Sequence, residues 1–236
     1  MKLLLSVIKN DIKIIFRDSM LYIMFFLPVI FILLFRFLVP LVTEYIYDGL
    51  PDYYWLIVAA LTCISASTPS FMIGFILLDE RDEHVHVLQK ILPLPPDFIL
   101  KSRIVFMVFS SFIFSVLMLH FNGLITIPIF YNISISVLFS LIPPVLTFLI
   151  VSIAKNKIEA ATLYKGMSMV LFIPVAAFFI REEWRPLFGI VPFYYTFNSF
   201  NKLGEFWPFI LNFLAGITTH FLFIIILYRI FKRKVV

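Results

Sequence analysis

Six apolar stretches, each long enough or nearly long enough to cross a bilayer, constrain this chain more than any other feature. They lie at about 20–42, 54–78, 104–121, 133–154, 167–180 and 208–227. A hydrocarbon core ~30 Å thick takes about 20 helical residues. In lipid, backbone groups must be satisfied within the spanning segment, which favours helices for runs of this length. Only 14% of the 236 residues are charged, where a soluble domain carries about a quarter. The connections leave no length for a soluble domain of ordinary size. The expected fold class is an all-α membrane protein, a single domain over 1–236 with six transmembrane helices. Pro143-Pro144 is expected to break or bend the fourth helix, and the fifth is short and contains Pro174.

The charges set the orientation. Fifteen of the 19 Lys and Arg fall on one side: four in residues 2–17, four between spans two and three, three between spans four and five, and four in the tail. Arg181, Arg185 and Lys202 fall on the other, with Arg36 near that end of its span. Lys and Arg accumulate in cytoplasmic loops, so both termini are expected in the cytoplasm. The same placement accounts for the net charge of +5 without a nucleic-acid partner.

Residues 2–18 read as an amphipathic helix. Lys2, Ser6, Lys9, Asn10, Lys13 and Arg17 share one face, apolar residues fill the rest, and Asp11 is the exception. Such a helix suits the bilayer interface, its basic side toward anionic headgroups. Charge throughout this segment also argues against a cleavable signal.

Catalytic signatures are missing. No glycine is followed by Lys, so no P-loop exists; neither H-E-x-x-H nor G-x-S-x-G occurs. His84 and His86 have no third ligand near them in sequence, and Cys63, the only cysteine, reads as packing. No cofactor or metal is expected on this chain. Arg36 is the one charge inside a span. Three readings stand open for it: facing a pathway or interface cavity, pairing with Glu44, or reaching the outer headgroups.

The loop at 79–100 carries the most information. Asp79, Glu80, Asp82 and Glu83 fit a helix N-terminus, where carboxylates meet the positive dipole end. Val85, Leu88, Ile91 and Leu92 follow at helical spacing, and Pro93, Pro95 and Pro96 stop the helix. A short helix held between two spans is suited to docking in a partner's groove.

In this order of parts the chain resembles the permease subunits of type 2 ABC transporters, the six-span exporter class. The family pattern has an elbow helix before the first span, matched by 1–18. It has an acidic coupling helix, matched at Glu80-Arg81, then a proline turn at Pro93 to Pro96 and a basic residue, Lys101, opening span three. It also has an ordered outer segment between spans five and six, matched by 181–207 with Pro192-Phe193-Tyr194-Tyr195. His84-Val85-His86 stands where the family carries a small residue and Thr.

The resemblance implies an export permease in a bacterial or archaeal inner (cell) membrane. Two permease subunits, identical or homologous, would pair with two copies of an ABC ATPase that holds ATP and Mg. Asp79, Glu80, Arg81, Asp82, Glu83, Val87, Leu88 and Ile91 would contact the ATPase. Lys157, Glu159 and Lys165 would supply a second contact. The aromatic content, 30 Phe and 10 Tyr, is compatible with a hydrophobic or amphipathic cargo such as a peptide, drug or lipid. The competing classes are a secondary carrier, a membrane-embedded enzyme, and a scaffold or immunity protein. The lack of an acidic residue within a span core weakens the proton-coupled carrier.

Overall fold

The computed structural model describes residues 2–85, 95 and 97–235. Among them it is helical without a strand. Helix α1 (Lys2–Arg17) precedes α2 (Ser19–Tyr45), α3 (Tyr54–Asp82), α4 (Phe98–Phe121), α5 (Ile129–Ser140), α6 (Ile142–Ile153), α7 (Lys157–Leu171), α8 (Pro192–Asn201) and α9 (Phe206–Val235). Six segments are long and apolar enough to cross a membrane: Ser19–Tyr45, Leu50–Asp82, Phe98–Phe121, Ile129–Ile153, Lys157–Phe179 and Phe206–Lys234. The chain is a multi-pass membrane protein.

Four details depart from the sequence expectation. The expected basic loop at 155–165 is largely helix, because α7 starts at Lys157. Asn156 caps it, its Oδ1 accepting from the Glu159 N–H at 2.9 Å. Span three begins at Phe98 rather than 104. The basic tail continues α9 to Val235. The acidic residues Asp79 and Asp82 lie in the last turn of α3, at the negative end of a helix dipole rather than the positive one. Carboxylates there are unfavourable unless a cation stands beside each.

The fourth span breaks as the prolines require. Helix α5 ends at Ser140, Leu141 intervenes, and Pro143 and Pro144 fall in the first turn of α6. Their missing N–H groups would have no intrahelical partner there in any case.

Helix α3 occupies the centre. Ala59, Cys63, Ser65, Ala66 and Ser70 are buried along it. Small residues let helices approach where lipid supplies no hydrophobic drive between them. Ser111 of α4 donates to the Ala66 carbonyl at 2.8 Å. Pro69 withholds a backbone N–H from the helix ladder, and Thr68 Oγ1 donates to the Ser65 carbonyl, four residues before it, at 2.9 Å. One residue further, the Ser70 carbonyl accepts from Tyr164 of α7 at 2.5 Å, and Ser70 Oγ from Thr147 of α6 at 3.1 Å. Gly74 makes room for that tyrosine; a Cβ there would overlap Tyr164 Oη.

The segment expected between spans five and six doubles back against the bundle. A 3-10 stretch, Glu182–Ile190, leads into α8. Helix α8 lies antiparallel along α9 and buries Phe193, Thr196, Phe197 and Phe200. Asn212 of α9 joins the two helices. Its Nδ2 donates to the Tyr195 carbonyl and to Ser199 Oγ, both at 2.9 Å, and its Oδ1 accepts from Asn198 at 2.8 Å. The Phe193 ring lies 6.0 Å from that of His220, roughly 21 Å along α9 from Phe206 at 1.5 Å per residue.

Candidate functional site: a charge cluster at the basic end

The third-span cation at the heart of this cluster is Arg103. Lys101, which the resemblance singled out, is exposed. The Arg103 side chain is 3% exposed and lies between two carboxylates. Its Nε and Nη2 donate to Asp11 Oδ2 and Oδ1 at 3.2 and 3.0 Å. Its Nη1 donates to Glu80 Oε2 at 2.7 Å, and Nη2 also reaches Glu80 Oε1. Both contacts are bidentate, the geometry that makes Arg–carboxylate pairs strong and directional. Three elements meet on one guanidinium: α1 through Asp11, the end of α3 through Glu80, and the start of α4 through Arg103. Burial pushes the Asp11 carboxyl above its usual range, with Arg103 pulling the other way.

The neighbouring α3 charges are also spent inside the molecule. Arg81 Nη1 donates to the carbonyls of Ala154 at 2.9 Å and Val151 at 3.4 Å. A cation thereby sits on the negative end of α6. Its Nε lies 3.6 Å from Asp82. Asp79 takes Lys157 Nζ at 2.7 Å, and the same ammonium lies 3.5 Å from Asp18. Asp18 caps α2, its Oδ1 accepting from the N–H groups of Met20 at 2.9 Å and Leu21 at 3.3 Å. Burial opposes the Asp18 anion, but the Leu21 and Met20 N–H groups and then Lys157 outweigh it and hold its pKa low. Asp97, at the start of α4 with φ +60°, accepts from Lys232 at 2.6 Å and from Tyr228 at 3.3 Å. That lysine, against a smaller opposing effect of burial, holds the Asp97 carboxyl below the usual range.

The structure therefore joins two groups that the sequence kept apart. Asp79 of the acidic stretch and Lys157 of the fourth-to-fifth connection are partners. Asp79, Glu80 and Arg81 are half-buried, whereas Asp82 and Glu83 are exposed. Glu159, in the first turn of α7, accepts from the Lys155 N–H at 2.8 Å. Lys165 is exposed, two turns along α7 from Lys157. Val87, Leu88 and Ile91 lie outside the described residues. Arg36 is at the opposite end of the bundle. Among the described residues no ion pair links it to Glu44, and it lines a cavity with His120 and residues 123–127.

Sequence reasoning passed over Asp11, Asp18, Asp97, Arg103 and Lys232. Only Asp11 announced itself, as the one acid in an otherwise basic and apolar helix. Its partner stands 92 residues away, beyond any local pattern.

A charged, intramolecularly locked end on a six-span helical bundle is the setting in which the comparisons with known proteins fall. No solved structure matches the chain. Two curated relatives are the fluoroquinolones export permease proteins MT2760 and Rv2686c, from the CDC 1551 / Oshkosh and H37Rv strains of Mycobacterium tuberculosis. Each is 26% identical over 236 aligned residues, which cover 96% of this chain and 92% of the relative. The family model described as fluoroquinolones export permease protein Rv2686c-like matches residues 11–228, from the buried Asp11 to the Tyr228 that meets Asp97. Six apolar helices and a match across nearly the whole chain lead to one assignment: this chain belongs to the Rv2686c-like export permease family, and is an export permease of the type 2 ABC kind.

Proposed function

We propose that this chain is the membrane-crossing subunit of an ATP-driven exporter whose ATP chemistry resides on a separate ABC ATPase. Two permeases, identical or homologous, work with two ATPases in the cell membrane. The basic end, with both termini, faces the cytoplasm, a placement supported by the fifteen-to-four distribution of Lys and Arg. The cargo is a hydrophobic or amphipathic compound, and the relatives' names point to the fluoroquinolone class.

The observation that carries this reading is the bidentate lock of Arg103 on Asp11 and Glu80. Glu80 stands at the root of the loop that carries the docking segment. A push on that loop reaches α1, the elbow, and α4 through one guanidinium. Asp79 with Lys157 carries the same push to span five, and Arg81 with Ala154 carries it to span four. Docking itself falls to the exposed Asp82 and Glu83 with Val87, Leu88 and Ile91, and on the span-five side to Lys165. Asp79, Glu80, Arg81, Lys157 and Glu159 act behind that surface as tethers.

Purification in mild detergent tests the reading. An ABC ATPase is expected to copurify, and inverted vesicles holding both chains are expected to take up a fluoroquinolone only with ATP. Charge reversal at Glu83 (Glu83→Lys) should lower ATPase stimulation and leave the spans folded. Uptake driven by an ion gradient in vesicles holding the purified chain alone would overturn the proposal in favour of a secondary carrier.

A further inference from the structure

Arg36 is a guanidinium in a span, and among the described residues it makes no hydrogen bond or ion pair. It lies seventeen residues after Ser19, roughly 25 Å along α2. Ser19 follows Asp18, which belongs to the charge cluster at the basic end. With one face of a ~30 Å hydrocarbon core placed there, the Arg36 backbone stands about 5 Å inside the other face. Its side chain is long enough to bring the charge to that boundary.

What it meets there is a preformed recess of about 350 Å³. One wall is Arg36, another is Leu119 and His120 at the end of α4, and the rest is the connection from Gly123 to Ile127. Buried Asn122 fixes that connection. Its Nδ2 donates to the Leu119 carbonyl, and its Oδ1 accepts from the N–H groups of Leu124 and Ile125, all at 2.8 Å. Gly123, at φ +70°, lets the chain lie directly on the Arg36 side chain, where an added Cβ would stand 3.4 Å from Arg36 Cγ. The N–H groups of Thr126 and Ile127 have no intramolecular partner among the described residues. A cation, an imidazole, a hydroxyl and two spare donors line the recess, and no carboxylate does. The volume is at the lower end for a small-molecule site.

We propose that this recess binds one anionic group, a phosphate or carboxylate, with Arg36 as the charge-assisted donor and Thr126 and His120 beside it. Two sources carry that chemistry: the phosphate of an outer-leaflet lipid, or the carboxylate of an amphipathic cargo. Only the cargo source rests on the export reading; the lipid source stands without it.

Binding to the full-length chain in detergent separates the sources. One arm titrates dihexanoyl-phosphatidylglycerol, and the other a carboxylate-bearing fluoroquinolone. Arg36→Gln should weaken whichever ligand uses the recess about tenfold, with Arg36→Lys retaining part of the affinity. Thr126→Glu, which leaves Arg36 in place but adds a competing carboxylate, should do the same and guards against a folding artefact in Arg36→Gln. Loss confined to phosphatidylglycerol assigns the lipid, and loss confined to the fluoroquinolone assigns the cargo. Unchanged binding of both ligands by Arg36→Gln and Thr126→Glu would overturn the site, whatever copurification says about the ATPase.

Discussion

Replacing Arg103 with Met keeps the length and apolar stem of the side chain and removes the charge. Asp11, 1% exposed, and Glu80, 21% exposed, would then face each other without a countercharge. Removing one partner of a buried ion pair costs about 3–5 kcal/mol. Two features place the cost at the lower end, near ~3 kcal/mol. Burial already biases Asp11 toward its protonated form, so it can shed its charge. Glu80 retains some contact with water. The assay is reversible unfolding in mixed detergent micelles, compared with Lys101→Met, an exposed change on the same turn of helix that should stay within about 0.5 kcal/mol. A triple variant, Asp11→Leu, Glu80→Gln and Arg103→Met, leaves no stranded charge and should recover to within about 1 kcal/mol of wild type, since apolar replacement of a whole buried ionic group is commonly tolerated. On the proposed exporter reading, the triple variant should nevertheless fail to couple ATPase turnover to transport, which separates stability from transmission. If Arg103→Met behaves like Lys101→Met, the buried lock does not hold these three elements together.

Two further outcomes follow from other contacts. Gly74→Ala should cost about 1–3 kcal/mol by overlap with Tyr164 Oη. Adding Tyr164→Phe should relieve the clash, so a double variant whose cost equals the sum of the two singles would contradict the packing described. Asp97→Asn, which keeps a residue tolerant of φ +60°, should lower the melting temperature at pH 7. The folded Asp97 carboxyl titrates below its ordinary value near 3.8, so its contribution is present above that value and lost as pH falls through the lower folded pKa. Wild type and Asp97→Asn should therefore draw together only as pH falls below 3.8 toward the lower folded pKa, and a difference that does not shrink on acidification below 3.8 would exclude an ionised Asp97–Lys232 pair as its source.

The spans were legible because apolar length is a local property. Residues 20–42 read as a span, and α2 runs Ser19–Tyr45. The break in span four was legible from Pro143-Pro144, although the prolines start the second half rather than interrupt the first. The sequence pattern places the start of span five ten residues too late, because Lys157 looks like a loop charge until Asp79 and Asp18 are placed against it. The sequence pattern puts the acidic stretch at the wrong end of a helix for a related reason: the dipole rule considers one helix at a time. At the end of α3, Lys157 and Arg103 arrive from other elements, and Arg81 stands among the acids on α3 itself, to make the carboxylates acceptable. In sequence Arg103 is one more basic loop residue, since nothing near it reveals that it is buried.

The lock at Arg103 also imposes an order on biogenesis. Asp11 is made early, but its partner is synthesised 92 residues later. At translation rates of about 5–20 residues per second, that is a wait of roughly 5–20 s. During that interval α1 has no guanidinium to hold its acid and must stay in water or at the lipid surface. A nascent chain that stalls before α4 emerges leaves Asp11 and Glu80 without Arg103, and such a fragment should be a preferred substrate for membrane quality control. Once α4 enters the bilayer, a single side chain draws in the oldest helix and closes the second span against the third, so the N-terminus settles with the third span rather than first, ahead of the contacts that wait for Lys157 and Lys232.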